Sequence, residues 1–312
     1  MKYLKMLSEL NISDVSFAGG KGASLGEMIQ VGIPVPPGFV ILSNTFEEFL
    51  FDNQLNQRIN ELLKNVNPND FSSVNQTSAI IQEVILNSKI CPERITEINV
   101  CFKGINTEFV AVRSSATAED GISNAWAGQL DSFLNVTATD LIDKVKRCWA
   151  SLFTPRAIFY CIENQLVNKE ISVAVVVQKM IQSEVSGIAF SVHPVTKDPK
   201  HLIIEAGYGL GEAIVSGQIT PDDYTVDKNN LEILDKNIGY QERMIIRTKN
   251  GNEWVKVDDN LSKIQKLTER EILELSRLIL VIENHYNFPV DVEWAKEKEV
   301  FYVVQSRPIT TI

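Results

Sequence analysis

The sequence is poor in the residues that most often advertise chemistry, with four cysteines, three histidines and a deficit of positive charge in 312 positions. Cys91, Cys101, Cys148 and Cys161 have no Cys-x-x-Cys spacing and no histidine pattern beside them, which argues against a zinc site and a disulfide framework; reduced, half-buried thiols are expected. His193, His201 and His285 lie in unlike settings with no serine or cysteine nucleophile motif nearby, so no catalytic triad is read. No run of about 18 apolar residues occurs, and Met1 to Met6 does not lead into an apolar stretch with a small-residue cleavage site. A soluble, cytoplasmic protein is expected. Thirty Lys and Arg stand against 40 Asp and Glu, a formal charge of -10, so the chain as a whole repels a phosphate backbone or an anionic lipid surface. Neither nucleic acid nor membrane is an expected partner, and an anionic nucleotide would need a local group of cations together with Mg²⁺.

What is present is enough apolar material, 44% of the chain, to bury the core of one large domain or two lobes. Gly19-Gly20-Lys21-Gly22 reads as a glycine turn into a helix from about Lys21, which stops at Gly32 before a proline-stiffened strand entry. Helices are expected at about 44–65 and 76–87, and again over 139–164 with a break near Pro155. Phe109 to Arg113 and Ile171 to Gln178 read as strands, as do Val185 to Ser191, Leu202 to Ala206 and Tyr224 to Asp227. Thr268 with Glu271 forms a capping box for a helix that runs to about Tyr286. No internal repeat and no low-complexity segment is found. The two lobes are expected over residues 1–180 and 181–312.

Several places could carry chemistry. Free N–H groups at a helix start favour an anion, and Lys21 could reach a phosphate. The P-loop pattern is not met, because Val15 and Gly22 occupy places that require glycine and a hydroxyl residue; a glycine turn with a solvated lysine is the alternative. Arg113 ends an apolar strand before the small, polar segment Ser114 to Asp120, so its guanidinium is held on a rigid element facing that loop, with a structural ion pair as the alternative. Gly128 to Ser132 could close over a phosphate chain or be an ordinary turn. Gly207-Tyr208-Gly209-Leu210-Gly211 is not the dinucleotide-binding fingerprint.

The C-terminal hairpin says more. Asp291 and Glu293 project from one strand face about 7 Å apart, with Val290, Val292 and Trp294 on the other. Paired carboxylates suit Mg²⁺, which prefers oxygen ligands shared with phosphates; a solvent-facing acidic edge is the alternative. On the returning strand Gln305 and Arg307 share a face. A turn with an odd number of residues would set Asp291 opposite Gln305 and gather all four polar groups. An even turn would separate them.

Taken together, Gly19 to Met28, Pro34 to Phe39, Ala111 to Asp120, Gly128-Gln129, Gly209-Leu210-Gly211-Glu212 and Gln305-Ser306-Arg307-Pro308 resemble the ATP-binding domain of the phosphoenolpyruvate synthase and pyruvate phosphate dikinase family. Rifamycin phosphotransferases and phenylphosphate synthases share that domain. The resemblance covers the whole chain and implies an α+β ATP-grasp fold, two lobes clamping a nucleotide. It implies that Lys21 and Arg113 contact phosphates and take part in catalysis. Gly128 and Ser132 would belong to a phosphate-side loop, Ser132 standing where relatives often have threonine. Gln178 would lie by the adenine, Glu293 with Asp291 and Gln305 would bind Mg²⁺, and Gln305 and Arg307 would complete the phosphate site. In such dikinases the ATP β-phosphoryl passes to a histidine of a swivelling domain, phosphate and AMP are formed, and pyruvate is the eventual acceptor. No Thr-Ser-His segment of a swivelling domain occurs here, so that histidine is expected on another polypeptide or in a missing segment. A non-catalytic, ATP-sensing module is the reading from a different functional class.

Overall fold

In the computed structural model of the chain, residues 2–117, 130–164, 172–249 and 251–309 are described. The chain forms two compact units, Met1–Glu27 with Pro37–Met180, and Met28–Pro36 with Ile181–Ile312. Helices and antiparallel sheets occur in both, the α+β class expected from the sequence.

The first unit is built on five strands: β1 (Leu4–Met6), β2 (Gly38–Ile41), β3 (Val110–Ala116), β4 (Ser132–Val136) and β5 (Val173–Lys179). They lie in the order β1-β2-β5-β3-β4. Helix α1 (Val15–Gln30) precedes β2, and α2 (Ser43–Asp52), α3 (Leu55–Lys64), α4 (Phe71–Asn87) and α5 (Pro92–Ile105) follow it. The single helix expected over 44–65 is two, because Gln54 turns left-handed at φ 55°, and α5 was not anticipated. Between β4 and β5 run α6 (Leu141–Ala150) and α7 (Pro155–Glu163). The break expected near Pro155 is present, with Pro155 opening the second helix: it has no N–H to lose in the first turn, and Thr154 caps that turn by accepting from Ala157 N. Strand alternation gives the sheet two characters. Leu4, Phe39, Ile41, Val110, Val112, Val175 and Val177 face the core, where Phe46, Phe49 and Trp149 from α2 and α6 join them. Trp149 packs its ring 5.5 Å from Phe46 and 4.9 Å from Phe49. Each such large side chain contributes roughly 1.5–3 kcal/mol through burial.

The second unit has a six-stranded antiparallel sheet of β6 (Val185–Phe190), β7 (His201–Tyr208), β8 (Asp222–Asp227), β9 (Glu232–Asn237), β12 (Val290–Glu297) and β13 (Val300–Pro308), in the order β13-β12-β6-β7-β8-β9. β10 (Arg243–Thr248) and β11 (Gly251–Lys256) make a separate two-stranded sheet, and α8 is the single turn Glu212–Val215. Helix α9 (Glu269–Tyr286) starts at the expected capping box, Thr268 Oγ1 accepting from Glu271 N. It buries Ile272, Leu275, Ile279 and Ile282, the 3.6-residue stripe, and packs on β7 and β12. No helix among the described residues is long and apolar enough to cross a membrane.

Candidate functional site

Gly19 makes the bend on which the first unit's candidate residues depend. At φ 68° and ψ 167° it interrupts α1, so a new helical start presents Gly20, Lys21 and Gly22. A side chain at Gly19 would meet the Ser115 carbonyl oxygen at 2.4 Å, and Gly22 N donates to Ser115 Oγ across 3.3 Å. The glycines thus let α1 sit directly on β3. The register of the sheet does the rest. Arg113 stands opposite Ser132 on one side and Val176 on the other, and Gln178 stands opposite Ala111 and Gly38. Alternate residues of a strand share a face, so Arg113, Ser115, Ser132 and Gln178 all project from the face against which the start of α1 is packed. Lys21 is half-buried there, Gln178 is 2% exposed and Ser132 is open to solvent. Lys21 also lies near enough to Cys148 to pull that thiol's pKa down, although burial dominates and pushes it up to about 12. Gly128 and the loop residues Ala118 to Gln129 lie outside the described residues.

In the second unit the terminal hairpin gathers its four polar groups by a route different from the one expected. The turn has two residues, Lys298 and Glu299, both left-handed, a type I′ connection between Glu297 and Val300. An even turn alone would set Gln305 opposite Val292 and Arg307 opposite Val290, on the apolar face. A β-bulge intervenes. Trp294 pairs with Val303 but Glu293 pairs with Gln305, so Val304 is the extra residue and the parity is restored. Asp291 therefore faces Arg307 and Glu293 faces Gln305. Arg307 Nη2 donates to Asp291 Oδ2 at 2.8 Å and lies 3.8 Å from Glu293 Oε1.

Burial raises the pKa of Asp291; Arg307 opposes the rise and the neighbouring Glu293 adds to it. Its Oδ1 is buried without a hydrogen-bond partner among the described residues. An orphaned carboxylate oxygen beside a second carboxylate and a buried amide is a donor set that fits a hard divalent cation. No group of three or more His, Cys, Asp and Glu side chains that could hold a metal occurs among the described residues. Mg²⁺ commonly takes one or two protein carboxylates and fills its shell with water and phosphate oxygens.

Sequence reasoning missed the continuation of this row. Glu293, Ile188, Glu205 and Asp223 are successive cross-strand neighbours and share one face. Burial raises the pKa of Glu205, with Asp223 and Asp291 adding to it, and burial also raises that of Asp223. The available signal was a lone acid within the apolar run Leu202 to Ala206. The glycine run after β7 is also explained: Gly209, at φ 86°, has its carbonyl held by Ser183 Oγ at 2.9 Å and Ser186 Oγ at 2.7 Å.

Such an α+β chain, with cations at a glycine-built helix start and paired carboxylates on a hairpin, has the parts of a nucleotide-handling domain. The chain belongs to the family described as pyruvate phosphate dikinase, AMP/ATP-binding domain, which matches residues 15–312. It is 42% identical over 321 residues to a probable phosphoenolpyruvate synthase of Methanocaldococcus jannaschii, covering 100% of this chain and 27% of that one. It is 37% identical to the phosphoenolpyruvate synthase of Pyrococcus furiosus, covering 100% and 44%, and 36% identical to the rifampicin phosphotransferase of Bacillus subtilis, covering 98% and 36%. The chain thus spans less than half the length of these curated relatives. A solved structure, D-alanyl-alanine synthetase A from Vibrio cholerae, is similar at TM-score 0.39 and 10% identity, over 96% of this chain and 57% of that one, a likeness too low to argue from.

Proposed function

We propose that the chain binds Mg-ATP in an ATP-grasp manner and is the nucleotide half of a dikinase of the phosphoenolpyruvate synthase type. The observation that carries this reading is the single face of Asp291, Glu293, Gln305 and Arg307, two carboxylates, an amide and a guanidinium brought together by a bulge. Glu293, Asp291 and Gln305 hold Mg²⁺, and Arg307 holds a phosphate. Lys21 and Arg113 contact the phosphates and stabilise the charge that develops during transfer. Gly128, outside the described residues, and Ser132 are assigned to the phosphate side, and Gln178 to the adenine. In the reaction the β-phosphoryl of ATP passes to a histidine nitrogen of a swivelling domain, supplied by another polypeptide or a further segment. Water takes the γ-phosphoryl as phosphate and AMP is left, with pyruvate the final acceptor of the group held on histidine. The relatives named as phosphoenolpyruvate synthases support that acceptor.

The rifampicin phosphotransferase relative favours a second reading with the same nucleotide chemistry and a different acceptor. Incubating the chain with Mg-ATP labelled at the β-phosphate, in extract of its host, tests both. Acid-labile label on a histidine, with AMP formed, is the expected result, and the labelled polypeptide identifies the acceptor. Tight Mg-ATP binding without AMP or label would overturn the dikinase reading and leave a nucleotide sensor.

A further inference from the structure

The second unit holds a pocket of about 760 Å³ that none of the residues discussed above lines; its walls include Thr220, Tyr240, Arg243, Trp254 and Lys256. The volume lies within the range of small-molecule sites. Its chemistry is unlike that of the rest of this acidic chain. The Arg243 guanidinium lies over the Trp254 ring, 4.2 Å from its centroid, a cation–π contact that uses the ring face and none of the N–H donors a bidentate oxyanion would need. Arg243 forms no ion pair among the described residues. It stands directly opposite Lys256 in the β10–β11 ladder, and like charges opposed across strands are destabilising. Asp259 offsets this little: its 2.7 Å bridge to Lys256 joins two largely exposed side chains, and Glu242 is the one acid on the wall. Tyr240, 55% exposed, and Trp254, 37% exposed, leave aromatic surface uncovered beside the cations. Lys263 lies over the Tyr240 ring as a third positive charge.

Two opposed cations beside partly exposed aromatic rings gain most from a ligand that is negative at one end and apolar in its body. We propose that this pocket is a second ligand site, distinct from the nucleotide site, and that it takes an organic anion whose phosphate or carboxylate is held by Arg243 and Lys256 while its ring or chain lies on Trp254 and Tyr240.

Phenyl phosphate and benzoate serve as probes in calorimetric titrations of the whole chain. Saturable binding of one equivalent of either probe is expected, and which of them binds more tightly names the head group. Arg243→Gln and Trp254→Leu are each expected to weaken it tenfold or more, and Glu293→Ala to leave it unchanged. Trp254→Leu could loosen the hairpin, so Arg243→Gln, at an exposed side chain, is the deciding variant. No saturable binding of either probe, binding unaltered by Arg243→Gln, or binding lost in Glu293→Ala would overturn the proposal.

Discussion

Asp291 and Glu293 are two residues apart on one strand face, yet Arg307 pairs closely with the first and only loosely with the second. The metal role proposed for Glu293 can be tested apart from the Arg307–Asp291 pair. Glu293→Ala is expected to weaken Mg²⁺-dependent ATP binding tenfold or more, about 1.4 kcal/mol, and Mg²⁺-free binding much less. Equal loss with and without the metal, in parallel titrations, would remove the metal role. The residue types of this site were legible because charge inside an apolar strand is costly and therefore conspicuous. Their partners were not, since which cation faces which anion depends on register. The cysteines carry the opposite lesson. Cys148 is fully buried, and its thiol is pushed up to about 12 from an ordinary 9.0. A raised folded-state pKa favours the native chain below pH 9, and that contribution fades as pH rises toward 12. Iodoacetamide at pH 8 is expected to label Cys148 only after unfolding in urea, as read by site-resolved mass spectrometry; equal rates in native and unfolded chain would contradict the burial.

At the scale of elements, the glycine turn and the hairpin show where pattern reading succeeds and where it stops. The helix start at Gly19–Gly22 was visible as composition, but its reason is a tertiary one: the Ser115 backbone occupies the space a Cβ would need. Gly19→Ala is expected to cost about 1–3 kcal/mol from a backbone of φ 68° and ψ 167° that is open essentially to glycine alone, with the overlap adding to this. Ser115→Gly should not rescue it, because the carbonyl at 2.4 Å remains. Recovery of the thermal midpoint in the double variant would show that the hydroxyl was the obstacle. In the hairpin, alternation correctly placed Asp291 with Glu293 and Gln305 with Arg307 on shared faces within each strand. The rule linking turn length to the joint face failed, since it assumes an unbroken ladder, and one extra residue, Val304, reverses its result. A bulge leaves no mark in hydrophobic periodicity when the inserted residue is itself a valine. The β10–β11 hairpin was missed for a related reason: its strands mix charged and apolar residues on both faces, so no alternation announces them.

At the scale of the whole molecule, segments far apart in sequence must be tied by something other than periodicity, and the second unit shows one such tie. Asp222 and Lys266, both 0% exposed at the side chain, form an ion pair of 2.7 Å. Asp222 Oδ1 also accepts from Gly239 N, and Oδ2 accepts from Lys266 N and Tyr224 Oη. Lys266 Nζ donates in addition to the Gly239 carbonyl and lies 5.6 Å from the Tyr208 ring centroid. The node therefore fastens β8, the segment before β10 and the approach to the α9 cap, with both carboxylate oxygens of Asp222 engaged. Neither residue stood out in the sequence, where an acid and a lysine 44 positions apart look like two solvated charges. Asp222→Ala would strand a buried ammonium and is expected to cost about 3–5 kcal/mol in urea unfolding. Adding Lys266→Met removes the stranded charge, and most of that loss should return, because a buried pair exchanged for apolar side chains is often neutral. A single variant that loses under about 1 kcal/mol would mean water reaches Lys266. A double variant no better than the single would mean that the hydrogen bonds to Gly239 and Tyr224, rather than the charge pair, hold the unit together.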